Sequence, residues 1–358
     1  MTPSLTLLNG DARTELKQIP DGTVQCCVTS PPYFGLRDYK VAGQIGLEQT
    51  PELYVAELVA VFREVRRVLR DDGTLWLNLG DSYAGSWGNY GGQNRTAGKQ
   101  RAISAGSRVP NAAWDERTKF KPPGADGFEG VKPKDLIGIP WMVAFALRAD
   151  GWYLRQDIIW SKPNPMPESV QDRCTKSHEY IFLLTKSARY YYDAAAIAEP
   201  ASGALYDQVE EGYNGEGTKD YTSNGVQNPS GVKARIIANA RKRADQFGGN
   251  KHNGDTTQHS DGSIYTGKLT RNKRSVWTVP TACCKEAHFA TFPPDLIRPC
   301  ILAGSRAGDT VLDPFGGSGT TGQVALEEGR NVILIELNPD YCALIRHRTN
   351  VTPGLALV

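Results

Sequence analysis

The chain has 358 residues, a formal net charge of +2 and seven cysteines. Its length allows one large or two modest domains, and the absence of an apolar run of about 18 residues or of a basic leader excludes a membrane span and a signal peptide. The odd cysteine count, the adjacent cysteine pairs and the scattered histidines predict a reduced, cytoplasmic protein without a bound metal.

The amino-terminal part predicts alternating strands and helices. The predicted elements are a strand at 4–8, a helix ending near Gln18, a strand at 24–28, a helix at 51–70 and a strand at 74–79. Asn9-Gly10-Asp11 forms the first turn, and Asp72-Gly73 precedes the third strand. This β-α-β-α-β order is typical of a parallel sheet.

The segment Thr29-Ser30-Pro31-Pro32-Tyr33 follows the predicted strand at 24–28. Two consecutive prolines cannot donate ladder hydrogen bonds, so the strand must end there in a stiff tip. Open α/β sheets place their ligands at the carboxyl ends of their strands. The Ser30 hydroxyl, the Ser30 and Pro31 carbonyls and the flat Tyr33 ring suit a planar group with an exocyclic amine. An ordinary strand-to-loop turn is the alternative.

The middle of the chain alternates between ordered elements and polar stretches. The predicted elements are a helix at 140–149, strands at 153–160 and 180–185, and a rigid proline-rich loop at 161–167. Residues 86–121 carry seven Lys/Arg against two Asp/Glu, and residues 232–276 carry ten against three. Residues 200–280, which contain this second basic stretch, are either a disordered surface insertion or, with their interleaved aromatic side chains, a surface that attracts a phosphate backbone.

A glycine loop with an acidic partner lies near the carboxyl end. The predicted elements there are a helix at 294–303, a strand at 310–312, a helix ending at Glu328, a strand at 332–336 and a helix from Pro339. Gly317-x-Gly319-x-x-Gly322 joins a strand to a helix, and Glu336 ends the next strand. Such glycines let a ligand approach the backbone, and such an acid can hold ribose hydroxyls. The pattern predicts a nucleotide-binding site, with a tight structural turn as the alternative.

The residues around the glycine loop, and its place in the chain, limit which nucleotide it is predicted to bind. No lysine of the Walker A type follows the glycines, which disfavours phosphoryl transfer. Few residues follow the loop, so the other strands of its sheet must come from the amino-terminal part. The Thr29–Tyr33 tip and the glycine loop are therefore predicted to lie side by side on one parallel sheet.

These motifs, in this order, resemble those of the amino-group DNA methyltransferases of the circularly permuted beta group, which methylate cytosine N4 or adenine N6. Thr29–Tyr33 resembles the catalytic motif, and Asp-Pro-Phe-Gly-Gly-Ser-Gly-Thr-Thr at 313–321 resembles the S-adenosylmethionine motif. Asn9-Gly10-Asp11 resembles the cofactor-adenine turn. Residues 288–293 resemble the motif before the last helix, with Phe289 where the family usually has proline.

The resemblance implies a Rossmann-like α/β methyltransferase fold with a circularly permuted, mostly parallel sheet, S-adenosylmethionine as cofactor and no metal. The implied catalytic residues are Ser30, Pro31, Pro32 and Tyr33. The implied cofactor-binding residues are Asp11, Thr29, Thr291, Phe292, Pro293, Asp313, Phe315, Gly316, Gly317, Ser318, Gly319, Thr320 and Glu336. The implied organisation is a catalytic half at 1–83, a polar insertion at 84–133, a continuation of the sheet at 134–199, a target-recognition region at 200–285 and a cofactor-binding half at 286–358.

The resemblance also implies a mechanism on double-stranded DNA. The base leaves the duplex because its amine is paired inside it. Tyr33 stacks on the extruded base, while Ser30 and the Pro31 carbonyl hold the amine toward the methyl group. The amine itself attacks, so the cysteines have no catalytic task, and Cys26 and Cys27 are predicted to be buried strand residues.

Three further side chains are weighed by the same reasoning. Asn164, in the proline-rich loop, is a candidate contact of the extruded base. Trp160 is predicted to lie in the core. His178-Glu179 suggests acid–base chemistry, but a polar start to the strand at 180–185 is the favoured interpretation.

Several alternatives remain at this point. Serine at the first position of the S/D/N-Pro-Pro-Tyr signature favours cytosine N4, although serine also occurs in adenine-specific members. A non-catalytic nucleic-acid-binding protein with this fold, and methylation of RNA or of a protein amide, are the rival functions, and the two basic stretches favour duplex DNA. The sequence does not determine the recognition site, whether the chain is a monomer or a homodimer, or whether a cognate restriction endonuclease accompanies it.

Overall fold

The computed structural model describes residues 2–36, 41–85, 127–200, 270–281 and 292–350. Most of the polar insertion predicted at 84–133, most of the region predicted at 200–285, and the predicted cofactor contact Thr291 lie outside these residues. The chain divides into two compact units. One runs to Ile197 and resumes at Arg274, and the other is Ala198–Lys273.

The described residues form ten strands and six helices. The strands are β1 Leu5–Asn9, β2 Val24–Thr29, β3 Leu69–Leu79, β4 Tyr153–Ser161, β5 His178–Thr185, β6 Glu199–Pro200, β7 Thr270–Arg271, β8 Val276–Thr278, β9 Thr310–Asp313 and β10 Asn331–Glu336. The helices are α1 Ala12–Glu15, α2 Pro51–Val68, α3 Ile139–Ala149, α4 Pro294–Gly304, α5 Thr320–Glu327 and α6 Pro339–Asn350. No helix among them is long and apolar enough to cross a membrane.

Eight of these strands form one sheet in the order β1-β10-β9-β2-β3-β5-β4-β8. All neighbours run parallel except β5, which is antiparallel to both β3 and β4. β1 pairs with β10 from Leu5 opposite Val332 to Asn9 opposite Glu336. The first strand therefore completes the sheet beside the last one, and the predicted mostly parallel α/β fold is confirmed.

Helices cover both faces of the sheet. Because successive side chains of a strand point to opposite faces, Cys26 and Cys27 of β2 belong to two separate hydrophobic clusters. The Cys27 cluster includes Val55 of α2 and Val143 of α3, whereas the Cys26 cluster includes Ile297 of α4. Burial on both faces explains why β2 is an uninterrupted buried run rather than an alternating one.

Local sequence fixes where the longest of these helices begins and ends. The Thr50 side chain accepts a hydrogen bond from the Leu53 N–H at the start of α2, and Pro51 occupies the first turn. Arg66 and Arg67 lie in its last turn, where they face the negative end of the helix dipole.

Two predicted boundaries are wrong. The strand expected at 74–79 begins at Leu69, because Leu69 pairs with Val24 of β2 before an irregularity in the register. The helix expected to reach Gln18 ends at Glu15 and continues as a single 3-10 turn over Leu16–Gln18. Neither difference moves the residues of the predicted site.

Candidate active site

The catalytic tip and the glycine loop meet at the centre of the sheet. β2 and β9 are neighbours, with Cys26 opposite Val311 and Cys27 opposite Leu312. From β2 the chain passes through α2 to β3 on one side, whereas from β9 it passes through α5 to β10 on the other. Connections that leave adjacent strands in opposite directions open a crevice at their carboxyl ends, where α/β sheets bind ligands. The predicted side-by-side placement of the two motifs is confirmed.

A buried carboxylate joins the two strands at this point. Asp313 Oδ1 accepts hydrogen bonds from the Thr29 hydroxyl at 2.6 Å and from the Phe315 N–H at 3.0 Å, and Oδ2 accepts one from the Thr321 hydroxyl at 2.7 Å. Burial raises the pKa of the Asp313 carboxyl, although these three donors oppose the rise. The Thr29 side chain is fully buried and serves Asp313, so it lies beneath the cavity wall rather than on it.

One cavity of about 200 Å³ lies in the crevice. All four predicted catalytic residues and most of the predicted cofactor-binding residues line it. The lining cofactor candidates are Asp11, Phe292, Asp313, Phe315, Gly316, Gly317, Ser318, Thr320 and Glu336. Thr29, Pro293 and Gly319 are not among the lining residues. The tip, the first turn and the glycine loop, which are far apart in the sequence, thus share one chamber.

The Glu336 carboxylate, at the end of β10, fixes the backbone of the glycine loop. The Gly317 N–H donates to Glu336 Oε2 at 2.7 Å, and the Asn338 N–H donates to Oε1 at 2.8 Å. Gly317 has φ of 52°, a left-handed conformation that side-chain-bearing residues rarely adopt. Burial raises the pKa of the Glu336 carboxyl, although the Asn338 and Gly317 N–H groups oppose the rise. The carboxylate keeps acceptor capacity on the cavity side, as ribose hydroxyls require.

An arginine of the last helix supports the other end of the glycine loop. Arg348 Nη1 donates to the Ser318 carbonyl at 2.9 Å, to Ser318 Oγ at 2.8 Å and to Thr320 Oγ1 at 3.3 Å. Ser318 Oγ and Thr320 Oγ1 lie 3.3 Å apart, so one hydroxyl donates to the other and one hydroxyl proton remains for a further acceptor. Ser318 and Thr320 line the cavity, so this end of it favours an anionic ligand group. The sequence reasoning missed Arg348, since nothing in its neighbourhood marks it.

Asp11, the predicted adenine contact, is bound by Arg13, a partner that the sequence did not reveal. Its carboxylate accepts hydrogen bonds from the Arg13 N–H at 2.8 Å and from Arg13 Nε at 2.9 Å, and the Arg13 side chain holds the pKa of Asp11 below its usual range. Arg13 also donates to Glu57 at 2.6 Å and to the Gly43 carbonyl at 2.9 Å. Gly43 lies on the cavity wall, so Arg13 fixes that part of the wall against Asp11.

The backbone of the Ser30–Tyr33 tip is held by a side chain of α2. The Tyr54 hydroxyl donates to the Pro32 carbonyl at 2.8 Å. The Ser30 hydroxyl lies 3.4 Å from the Tyr33 hydroxyl, and both residues line the cavity. Ser30 and Pro31 both line the cavity, and the acceptance of an amine by the Ser30 hydroxyl and the Pro31 carbonyl stays a prediction.

The Tyr33 hydroxyl has a strong partner from a distant strand. It donates to Glu179 Oε2 at 2.7 Å, and burial together with the Glu179 carboxylate raises the pKa of the Tyr33 phenol well above its usual range. Glu179 is indeed the polar start of a strand, which here begins at His178. The signal that could have identified its role is the placement of a charged residue immediately before the apolar run of β5.

Three further sequence predictions can be compared with the structure. Cys26 and Cys27 are buried, and burial raises the pKa of Cys26 to about 12, so neither provides a thiolate nucleophile. Trp160 is buried and donates to the Val279 carbonyl at 2.7 Å, which confirms its core position. Asn164 binds the Thr281 backbone, accepting from its N–H at 2.9 Å, so its contact with a base stays a prediction.

The cavity suits a cofactor that contains a nucleoside and a charged tail. Glu336 offers a carboxylate acceptor of the kind that ribose hydroxyls require. Gly317 leaves space for close approach, since among the described residues a Cβ there would meet the Phe315 carbonyl alone, at 3.8 Å. One hydroxyl proton of the Ser318–Thr320 pair remains available to an anion. Within the described ranges no group of three or more His, Cys, Asp or Glu side chains could hold a metal ion.

Comparison with known proteins gives a consistent result. The family described as DNA methylase, whose members are N6 and N4 methyltransferases, matches residues 24–347. The chain is 44% identical over 343 residues to the Type II methyltransferase M.XycI of Xanthomonas campestris pv. cyanopsidis, covering 96% of this chain and 87% of that protein. It is 42% identical over 345 residues to the Type II methyltransferase M.SmaI of Serratia marcescens, covering 96% of this chain and 90% of that protein.

Solved structures share the fold. The cytosine-N4-specific PvuII DNA methyltransferase superposes with a TM-score of 0.56 at 16% identity, covering 97% of this chain and 87% of that one. A Thermus thermophilus protein described as a putative DNA modification methylase, in complex with S-adenosyl-L-methionine, gives a TM-score of 0.51 at 23% identity, covering 98% and 95% of the two chains.

Proposed function

The chain belongs to the DNA methylase family of N6 and N4 methyltransferases, and from this premise we propose that it methylates N4 of cytosine at a specific site in DNA. The methyl donor is S-adenosylmethionine. The observation that carries the proposal is the cavity lined by both the Ser30–Tyr33 tip and the Gly316-Gly317 backbone. A donor and an acceptor held in one crevice gain most of their rate from positioning.

The tip is the acceptor side of this reaction. An amine inside the double helix is paired and out of reach, so the target base must leave the duplex. The Tyr33 ring replaces the stacking that the base loses, which is worth ~1–3 kcal/mol per base. The Ser30 hydroxyl and the Pro31 carbonyl accept hydrogen bonds from the amine and so direct its lone pair away from themselves. When bound, the cofactor supplies a methyl group activated by a sulfonium, and the residues of the chain form no covalent bond to the base.

The glycine loop is the cofactor side. Glu336 accepts hydrogen bonds from the ribose hydroxyls, and Asp11 and Phe292 stand at the adenine end of the cavity. The Ser318 and Thr320 hydroxyls, held by Arg348, donate their one remaining proton to the carboxylate of the methionine part. Asp313 acts on the cofactor indirectly, because its hydrogen bonds to Thr29 and Phe315 hold the two motifs in register.

Serine at position 30 supports cytosine N4 as the methylated atom. A carboxylate at this position accepts hydrogen bonds more strongly than a hydroxyl and polarises either amine more. Both amines are nearly non-basic, so this chemistry alone does not force the assignment, and the choice of cytosine rests on the serine that usually accompanies cytosine N4 in the family. Adenine N6 is the alternative product of the same mechanism.

The basic stretch at 232–276, joined by 86–121, is proposed to grip the DNA phosphates and to read the target. Its excess of seven positive charges supports this role. Replacing Arg241 and Arg243 by Gln should lower the slope of log affinity against log salt by about 2, because each released phosphate contact contributes ~0.9. The matched control removes two exposed charges elsewhere, with Lys17→Gln and Arg63→Gln, and should leave that slope unchanged. Equal slopes for all three proteins would place DNA recognition outside this stretch.

Mass spectrometry of nucleosides tests the proposed function. Duplex DNA is incubated with the protein and a cofactor that carries a deuterated methyl group, and the expected product is labelled N4-methylcytosine. Labelled N6-methyladenine without N4-methylcytosine would overturn the choice of base but keep the mechanism. Label found only in RNA or protein would overturn the DNA substrate, and no label in any acceptor would leave a nucleic-acid-binding protein without activity.

The protein's relatives are Type II methyltransferases, and such enzymes act in restriction–modification systems. A cognate endonuclease, a monomeric or homodimeric state and a cytoplasmic location remain predictions for this chain. Size-exclusion chromatography with light scattering checks the second of these directly.

A further inference from the structure

The Tyr33 hydroxyl is held more firmly than the proposed mechanism requires. Stacking uses the face of the ring, and the reaction assigns no task to the phenol oxygen. Yet that oxygen donates to Glu179 Oε2 at 2.7 Å and lies 3.2 Å from Asn78 Oδ1. Glu179 follows Tyr33 by 146 residues, so the contact depends on the complete fold.

Glu179 is itself fixed on both carboxylate oxygens. Lys162 Nζ binds Oε1, and Asn78 Nδ2 donates to Oε2 at 3.3 Å and to the Tyr180 carbonyl at 3.0 Å. Lys162 Nζ also lies 4.2 Å from the centre of the Trp160 ring. With every partner placed in this way, the carboxylate has a single orientation toward the Tyr33 hydroxyl.

Stability of the fold does not explain this ion pair. The Lys162 and Glu179 side chains are only 17% and 16% exposed, so both charges have lost most of their water. For such pairs the desolvation penalty offsets the attraction, and apolar residues of similar volume often stabilise the fold as well or better. Because Glu179 of this pair binds Tyr33, which lines the cavity, the pair points to a role in positioning Tyr33 rather than in stability.

Gly80 confines the edge of the Tyr33 ring. A Cβ at Gly80 would lie 2.6 Å from Tyr33 Cε2, so the ring edge packs directly against this backbone. The hydroxyl is anchored at one end of the ring, the edge is confined by Gly80, and Tyr33 also lines the cavity. The orientation of the stacking surface is thus set before any base arrives.

We propose that Glu179, supported by Lys162 and Asn78, is a positioning residue that fixes the Tyr33 ring as the stacking surface for the extruded base. The proposal rests on the proposed function and deepens it. Through Tyr33, Glu179 sets the angle at which the amine of the base meets Ser30 and Pro31. Glu179 does not take the amine proton, since its two oxygens are already engaged by Lys162, Asn78 and Tyr33.

Two variants test the proposal by different routes. Tyr33→Phe keeps the ring and removes only the anchoring hydroxyl. Glu179→Leu combined with Lys162→Met removes both charges together, so that neither is left buried without its partner. Lys134→Met combined with Asp172→Leu is the matched control, because it removes an exposed ion pair with an N–O distance of 3.0 Å away from the cavity.

The readouts are the single-turnover rate of methyl transfer, cofactor affinity by calorimetry, and the fluorescence anisotropy of pyrrolocytosine placed at the target position of a duplex. We expect each test variant to lose about tenfold in rate, less than the loss of the whole ring would cost, because the ring remains but is misplaced. The anisotropy of the extruded base should fall, because its stacking surface moves. Cofactor affinity and the melting temperature should match those of the control. Combining both sets of changes should give no further loss, because they break one contact.

Wild-type rate and anisotropy in the test variants would overturn the positioning role. A parallel loss of rate, cofactor affinity and melting temperature would also overturn it, since that pattern marks a structural role. Failure of the proposed function is a separate outcome, because in that case the unmodified protein itself transfers no methyl group to a DNA amine.

Discussion

The cofactor half and the base half of the active site are built in different ways. The glycine loop is shaped by contacts within its own β9-α5-β10 unit and with the helix that follows, as in the Gly317 N–H bond to the Glu336 side chain, 19 residues away. The Tyr33 ring is shaped by side chains from distant strands, with Asn78 45 residues away and Glu179 146 residues away. A site built from local backbone can be identified from a motif, whereas a site built from distant side chains needs the fold.

The largest effect is expected where the two halves join. Asp313→Ala removes the carboxylate that accepts hydrogen bonds from the Phe315 N–H and from the Thr29 hydroxyl in the described core. Each buried donor left without a partner costs ~1–3 kcal/mol, so the free energy of unfolding should fall by about 3 kcal/mol. Denaturant titration measures this loss. Asp71→Ala is the control, because its side chain is 98% exposed. Equal free energies of unfolding for the two variants would contradict the role of Asp313 in joining the two halves.

The next effect is confined to the cofactor half. Gly317→Val places a β-branched residue at φ of 52° and narrows the cavity, with a backbone strain of ~1–3 kcal/mol in addition to the lost space. Cofactor affinity by calorimetry should fall about 100-fold, which corresponds to ~2.7 kcal/mol. Gly22→Val carries the same strain at φ of 65° outside the cavity and should leave the affinity unchanged. Unchanged affinity in Gly317→Val would rule out this placement of the cofactor.

The reciprocal effect is confined to the base half. Tyr33→Ala removes the stacking surface, worth ~1–3 kcal/mol, and should lower the rate of transfer about tenfold to 100-fold at unchanged cofactor affinity. Ser30→Ala should lower it less, because it removes one hydrogen bond to the amine, worth ~1 kcal/mol. Single-turnover rates at saturating cofactor separate the two. A larger loss in Ser30→Ala than in Tyr33→Ala would show that stacking is not the main role of the tip.

How much of the site the sequence predicts follows from the same contrast. The spacing of Gly317, Gly319 and Glu336 predicted that the glycine loop and the acid lie together, and the Gly317 N–H bond to Glu336 agrees, because a strand, a turn and a helix fix those residues relative to one another. Pro31 and Pro32 likewise predicted the end of β2. The sequence could not supply the contact between Tyr33 and Glu179, because these residues are 146 residues apart, and nothing near Arg348 marks it as the partner of Ser318.

The smallest expected effect concerns pH. Burial raises the pKa of Glu336, so cofactor affinity should begin to fall at a higher pH than an ordinary glutamate would allow. The sign follows from the ribose, whose hydroxyls donate to the carboxylate and lose an anionic acceptor when it is protonated. Glu336→Gln should bind more weakly near neutral pH, with little further change as the pH falls. Parallel pH profiles of the two proteins by calorimetry would assign the titration to another group.

The meeting of the two halves is the central claim, and a crystal structure with S-adenosylhomocysteine and a duplex carrying the methylated site tests it most directly. We expect the target cytosine outside the helix, with its ring parallel to Tyr33 and its N4 within hydrogen-bond distance of Ser30 Oγ or the Pro31 carbonyl. The ribose hydroxyls of S-adenosylhomocysteine should lie within hydrogen-bond distance of the Glu336 carboxylate. A target base that stays stacked in the duplex, or a cofactor product bound away from the Gly316-Gly317 backbone, would contradict the claim.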